Sequence, residues 1–365
     1  MTDFLRCYGN PSSIYGAGKE AHDAVEAARK SVALLINATP RRIVFTSGGS
    51  EGNNFVIKGV AFALGASKNH IVTSSIEHPS VLAACRWLEK HGFEVTYLPV
   101  DRNAIVNPED LSRVLSERTC LVSIMAANNE TGSLQPITEL ARIAAQRGVL
   151  FHTDAVQAVG KMPVDVQEWG ADFLTLSGHK FNGPKGAGAV YIRKGLEIPP
   201  LIHGGKQERG LRGGTENVLS IVGIGRAAHL AGQRLGEMES RVRKLRDDLQ
   251  QGILRIVSGA KLNGHPEKRL PNTLNVTLPG IRGESLVLAL DSRGVFFSSG
   301  SACKSGSPDP SHVLLAMGLS TDEAHCAVRF SLGTENTTEE IEGTLQSLRE
   351  VINTSLANVR FVSCR

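Results

Sequence analysis

The chain has 365 residues, room for one large domain and one smaller one. It is 41% hydrophobic and 21% charged, an ordinary balance for a globular protein, and its net charge of +4 is too mild to make nucleic acid the principal partner. No apolar run reaches the length of a bilayer span, Met1 to Arg6 carry no apolar signal region, and the six cysteines lie far apart without a C-x-x-C pair. A membrane segment, a disulfide framework and a structural zinc site are therefore disfavoured, and a reducing cytoplasm is expected.

Gly9 to Ser13 is turn chemistry, and an Ala-rich helical face runs from about Gly18 to Leu35. Arg42 to Ser47 reads as a strand that breaks into Gly48-Gly49-Ser50-Glu51-Gly52-Asn53-Asn54 and opens another helix. A glycine-rich turn into a helix N-terminus offers free N–H groups and the positive end of the dipole to a phosphate. A plain strand–helix turn looks the same. The chain has no G-x-x-x-x-G-K-[ST] loop, so a nucleoside triphosphatase is not supported. His70 to Ser75 is the next strand, followed by Glu77-His78-Pro79-Ser80 and a helix to about His91. Strands at Glu94–Val100 and Cys120–Ala127 flank a helix at Asn107–Ser116, and Asn128-Asn129-Glu130-Thr131-Gly132 closes the second of them. After a helix over Pro136–Arg147, Val149 to Ala155 reads as a buried strand with Asp154 near its carboxyl end and Gln157 just beyond.

A further strand over Ala171–Leu176 stops in Ser177-Gly178-His179-Lys180, with glycines and a proline behind it. A lysine held at a strand end by tight backbone loses solvation, which turns the ammonium into an amine able to form a Schiff base. Alone, it reads first as a surface lysine after a strand. Strands alternate with helices throughout this half, the pattern of a mostly parallel sheet wrapped by helices, in which strand ends line the ligand crevice. His78, Asn129, Asp154 and Lys180 all follow strand-like runs. Pyridoxal phosphate chemistry needs such a lysine and a carboxylate that keeps the pyridine nitrogen protonated.

Ala187 to Arg193 is a returning strand, and residues 203–217 form a long polar, glycine-rich loop of the kind that is often functional. A helical pattern covers about Glu216 to Ile256. Gly223-Ile224-Gly225-Arg226-Ala227-Ala228 imitates a dinucleotide fingerprint there, but it lies inside a helix and a nicotinamide site is rejected. From about Ser258 the pattern changes to a smaller α+β domain. It has strands at Asn272–Leu278, Val295–Ser298 and Val328–Leu332, and helices at Glu284–Ser292 and Thr338–Asn353. Between them, residues 298–310 are almost all small or polar and carry Cys303 beside Lys304, a setting that exposes a thiol and favours thiolate. Cys7, Cys85, Cys120, Cys326 and Cys364 lack that setting and read as structural.

Tyr8 to Ser13, Glu77-His78-Pro79-Ser80, Asn128 to Gly132, Thr153 to Gln157, Ser177 to Lys180, Gln207 to Gly210 and Ser299 to Cys303 together make the chain resemble the cysteine desulfurases, pyridoxal phosphate enzymes of the class V aminotransferase type. The resemblance runs to Gly333, nearly the whole chain. It implies an α/β protein of fold type I, the pyridoxal-phosphate-dependent transferase fold. A large cofactor domain over 1–257, with a mostly parallel seven-stranded sheet, would precede a small domain over 258–365 that carries the cysteine loop, and the start of the chain would contribute to the small domain. It implies a homodimer acting on L-cysteine and passing sulfur to an iron–sulfur scaffold or another acceptor protein. Lys180 would hold the cofactor, His78 would stack on its ring and move protons, and Asp154 would pair with the pyridine nitrogen. Gln157 and Asn129 would contact the ring hydroxyl side. Gly49, Ser50, Ser177 and His179 would bind the phosphate, with Thr215 of the partner subunit. Arg329 would clamp the substrate carboxylate. Cys303 would attack the sulfur, leaving alanine and a persulfide. No resident metal is implied, although Cys303 could touch an iron–sulfur cluster during transfer. Selenocysteine lyase and a non-catalytic scaffold are the alternatives on this fold.

Ser50 stands where threonine is common, Lys206 and Gly213 stand where glycine and serine are usual, and the longer tail of the housekeeping members is missing. Related desulfurases open with a segment of the type Tyr-Leu-Asp-Asn-Ala-Ala-Thr-Thr. Here Met1 falls in the helix that follows it, so the natural protein is expected to start further upstream.

Overall fold

The computed structural model describes residues 8–65, 67–299 and 309–362, with side chains as far as residue 353. Cys7, Cys303, Cys364 and the expected upstream start lie outside the described residues. Two units are present. Val106–Ala127 and Gln135–Leu235 join the chain up to Val100 in the first, while Asp101–Ile105 and Asn128–Leu134 join the chain from Gly236 onward in the second.

In the first unit helices and strands alternate: α1 (Gly16–Leu35), β1 (Ile43–Thr46), α2 (Gly49–Leu64), β2 (His70–Ser74), α3 (Pro79–Glu89), β3 (Glu94–Leu98), α4 (Pro108–Val114), β4 (Thr119–Ser123), α5 (Ile137–Gln146), β5 (Leu150–Asp154), β6 (Phe173–Ser177), β7 (Gly188–Ile192) and α6 (Val218–Glu237). The strands form one seven-stranded sheet in the order β1-β7-β6-β5-β4-β2-β3. Neighbours from β6 to β3 run parallel, and β7 is antiparallel to both β6 and β1. Two reversals restore direction, so β1 points the same way as β6, and the carboxyl ends of β1, β2, β4, β5 and β6 share one edge. The expected mostly parallel, helix-wrapped sheet is what the chain forms. Its central strands are buried along their length, as strands covered on both faces must be.

The core of this unit lies between α2, α3 and the sheet, where Phe55, Val56, Ile57, Val60, Val81 and Leu88 pack on Ile71, Leu121, Phe173 and Val190. One glycine sets how closely α2 lies. A Cβ on Gly52 would come within 2.7 Å of Thr175 Cγ2 and 3.0 Å of Val190 Cγ2. Only a residue without a side chain lets the start of α2 press on β6, and that start carries the turn at Gly48 to Ser50.

The second unit holds α7 (Arg243–Ile256), β8 (Lys261–Leu262), β9 (Thr273–Thr277), α8 (Gly283–Asp291), α9 (His312–Ala316), α10 (Thr321–His325), β10 (Ala327–Ser331) and α11 (Thr338–Val362). Its antiparallel sheet has the order β10-β9-β8. Leu245, Leu249 and Ile253 of α7, Leu286 and Leu290 of α8 and Ile341 and Leu348 of α11 pack on Leu274, Val276, Val328 and Phe330.

Three details differ from the sequence reading. The long helical pattern from Glu216 runs unbroken from Val218 to Ile256 but is not uniform, because a wide turn of π type at Met238–Val242 lies between α6 and α7. The short strand expected at Val295–Ser298 reduces to a single bridge, Ser298 to Arg329. The brief elements β8, α9 and α10 were not read from the sequence, being too short to show a period. Of these, α10 does carry a legible start, a capping box between Ser320 and Glu323.

Candidate active site

The strand ends of the first unit bring most of the expected residues together. After β1, Gly48 sits at φ 154° and ψ −175°, a conformation for glycine only, and caps α2. Here the backbone is pressed tight: a Cβ on Gly188 would lie 2.6 Å from Gly48 Cα, and one on Gly49 would lie 2.8 Å from Val156 Cγ2. The N–H groups opening α2 are thus held beside the end of β6. At that end Ser177 Oγ and His179 Nδ1 are 2.9 Å apart. Partial burial, then the charges of Lys180, Lys161 and Lys185, hold His179 below its ordinary pKa. Three lysines, a hydroxyl, an imidazole and a helix N-terminus make an electropositive corner that suits a phosphate.

Lys180 stands in the short 3-10 turn Gly178–Phe181 that follows β6 directly, and is half-buried. Asp154 ends β5 and is buried. Its Oδ1 accepts from the Val156 N–H at 3.0 Å and its Oδ2 from Asn53 Nδ2 at 2.7 Å. Burial pushes the carboxyl up, opposed by these two hydrogen bonds and electrostatically by nearby His78 and Lys180. A buried carboxylate of this kind calls for a cation, and a protonated ring nitrogen supplies one.

His78 caps α3. Its Nδ1 accepts from the Ser80 N–H at 3.1 Å and lies 2.8 Å from Ser80 Oγ. A backbone N–H can only donate, so Nδ1 carries the lone pair and the neutral ring bears its proton on Nε2. The preceding Glu77 is fully buried and is pushed up to about 8 by that burial, although Ser74 Oγ and the Met125 N–H donate to its Oε1 at 2.7 and 2.9 Å. Gln157 follows β5, and Lys161 Nζ donates to its Oε1 at 2.7 Å. With that oxygen engaged, Gln157 has its amide N–H groups left to offer.

The sequence reading did not find Asn53, Lys161 or Glu77. Asn53 and Lys161 show no signal beyond their place one turn after a candidate residue. Glu77 sits in the Glu-His-Pro-Ser stretch, but a loop glutamate normally reads as solvated. Ser50 lies at the surface in the first turn of α2 and Thr215 is exposed in the 203–217 loop. That loop is anchored by a buried, two-pronged pair, Arg29 to Glu208 at 2.6 and 2.8 Å, and the Phe45 N–H donates to the same carboxylate at 2.9 Å. Glu208 and Arg209 adopt φ of 45° and 61°, so backbone strain is held in place by that pair.

Asn129 and Arg329 belong to the second unit. Arg329 Nη1 donates to the Asn129 carbonyl at 2.7 Å, while Asn129 Oδ1 is buried with no partner among the described residues. Two backbone hydrogen bonds, of 3.1 and 2.7 Å, pin Ser298 to Arg329. The chain then runs on toward Cys303. Among the described thiols, burial pushes Cys85 up to about 12 and Cys120 up to about 11, so both stay protonated and inert at neutral pH. No helix among the described residues is long and apolar enough to cross a membrane.

Residues 1–343 match the aminotransferase class-V family. The chain is 51% identical over 345 residues to a protein named cysteine desulfurase IscS from Methanosarcina thermophila, covering 94% of this chain and 85% of that one. It is 50% identical over 353 residues to a protein of the same name from Dictyoglomus turgidum, covering 96% and 90%. Among solved structures, one titled NifS-like protein superposes with a TM-score of 0.91 at 42% identity, covering 97% of this chain and 94% of that one. Another, titled SspA in complex with cysteine, gives 0.79 at 38% identity, covering 91% and 92%.

Proposed function

We propose that this chain, which belongs to the aminotransferase class-V family, is a cysteine desulfurase that uses pyridoxal 5′-phosphate to move sulfur from L-cysteine to Cys303. The observation that carries this reading is the gathering of Lys180, Asp154 and His78 with the Gly48–Ser50 turn at one edge of one sheet. The donor set fits the cofactor: an amine for an aldehyde, a carboxylate in need of a cation, and an electropositive corner for a phosphate.

When bound, the cofactor supplies an aldehyde carbon for amines and a ring that draws electrons from the bound substrate. Lys180 would hold it through its side-chain amine. Asp154 would keep the ring nitrogen protonated. Gly49, Ser50, Ser177 and His179 take the phosphate, together with Thr215 of the partner subunit in a homodimer. Gln157 and Asn129 serve the ring hydroxyl side. His78 would serve the ring, with its Nδ1 engaged by the Ser80 N–H and its proton carried on Nε2. Arg329 takes the substrate carboxylate. The Cys303 thiolate attacks the cysteine sulfur, a new S–S bond forms, and the C–S bond breaks with its electron pair going to carbon. That carbon takes a proton. Cysteine and a thiol thus become alanine and a persulfide. A reducing compartment such as the cytoplasm keeps Cys303 reduced, and the persulfide passes to an iron–sulfur scaffold or another acceptor protein.

The test is incubation with L-cysteine and a dithiol reductant, assaying sulfide and alanine together. Equal amounts of both are expected. A cofactor-loaded protein that forms neither would refute the reading, and one that releases selenide from selenocysteine while leaving cysteine untouched would replace it with selenocysteine lyase.

A further inference from the structure

Asn53 lies one turn into α2, buried at 1% exposure, where the close packing of Gly52 on β6 brings it against the ends of β5 and the β2–α3 turn. Its two amide hydrogens go to two different places. One reaches Asp154 Oδ2 at 2.7 Å and the other reaches Ser80 Oγ at 2.9 Å. Ser80 Oγ in turn lies 2.8 Å from His78 Nδ1. Since Oγ already accepts from Asn53, its own hydrogen is free to point at the Nδ1 lone pair.

We propose that Asn53 is a positioning residue that ties the carboxylate of Asp154 to the imidazole of His78 through the Ser80 hydroxyl. The inference rests on the desulfurase reading above, in which those two groups face the cofactor. Turning the amide over would set its oxygen against the Asp154 carboxylate oxygen at 2.7 Å, and would take the Ser80 hydrogen away from the His78 Nδ1 lone pair. Asn53 Oδ1 is meanwhile buried with no hydrogen-bond partner among the described residues. Both N–H groups are thus held on the site by their acceptors. One side chain thereby fixes the plane of the carboxylate and biases the face that His78 presents. Such partners, which touch no reacting atom, orient the groups that do. The other titratable groups around the network are Glu77, beside Asp154 and His78, and Lys180.

The test uses the full chain loaded with pyridoxal phosphate, in wild-type, Asn53→Ala and Ser80→Ala forms, with histidine ring nitrogens labelled with 15N. In Asn53→Ala, kcat for cysteine is expected to fall by ~10-fold or more while KM stays within ~2-fold, the split produced by lost orientation. The His78 Nδ1 signal should move in the same sense in Asn53→Ala as in Ser80→Ala, although residue 53 makes no hydrogen bond to the imidazole itself. Ser80→Ala keeps the bond to Asp154 and should lose less in kcat; it also decides the matter alone if Asn53→Ala does not fold. A kcat that is unchanged in both variants, or a loss in Asn53→Ala that comes only with lower melting temperature and cofactor content while the His78 signal stays put, would overturn the proposal. Failure of the desulfurase reading looks different: the wild type then forms no alanine, while the ring-nitrogen comparison still reports whether the link exists.

Discussion

Replacing Glu77 by Gln tests whether a carboxyl at the heart of the site is neutral. Glu77 is fully buried, and the hydrogen bonds from Ser74 and Met125 do not offset the loss of water, so its pKa stands at about 8 instead of 4.5. The native state therefore holds a proton on Glu77 through a range in which the unfolded chain has lost it. Stability linked to this group is complete below pH 4.5 and falls as pH rises toward 8, because the native state binds more protons there. The slope is about 1.4 kcal/mol per pH unit, and the whole effect is of order 5 kcal/mol. Gln resembles the protonated acid in shape and cannot ionise. At pH 5 the variant should match the wild type within about 1 kcal/mol. Above pH 8 it should be the more stable of the two, with a melting temperature several degrees higher. The assay is thermal and urea unfolding of both proteins from pH 5 to 9, in which the titration of groups that do not interact with Glu77 cancels in the difference. Curves that stay parallel across that range would refute the argument, and so would a variant already weaker by more than about 2 kcal/mol at pH 5.

Lys180→Ala should leave the fold intact, lose covalent cofactor and abolish sulfide release; borohydride treatment of the wild type should fix the cofactor to the peptide containing Lys180, and label on Lys185 or Lys206 would sink that assignment. Cys303→Ser should keep the yellow colour and cysteine-induced spectral changes but release almost no sulfide, with the wild-type persulfide trapped at Cys303; a persulfide on Cys326 instead would overturn the role. Lys161→Met frees the Gln157 oxygen, so the absorption maximum of the bound cofactor should shift and turnover fall severalfold, while Lys161→Arg should stay near wild type. Glu208→Ala leaves buried Arg29 with only the more exposed Glu26 as a carboxylate partner and should lower stability by up to about 3–5 kcal/mol, measured by urea unfolding; a loss under 1 kcal/mol would show that the pair is dispensable.

Much of the site was legible because of where strands stop. Asp154 and Ser177 end strands that are buried almost along their whole length, and a polar residue at such an end has either a ligand or a cap to serve. His78 and Lys180 were readable for the same reason, one against a proline and the other in a turn of small residues. The groups that hold these residues in place were not legible. Asn53 looks like any polar position on the first turn of a helix, and nothing in its neighbours shows that Gly52 presses it into the sheet. Glu208 reads as solvated in a polar loop, yet its partner Arg29 comes from α1, 179 residues earlier, and the two bury each other. Glu77 misleads in the same direction, since local sequence cannot show that burial takes away the water its charge would need. Chemistry at strand ends leaves a mark within a window of ten residues. The partners that set its protonation and orientation are joined to it only by the fold, so a charge or amide inside a legible motif stays ambiguous until its burial and its distant partner are known.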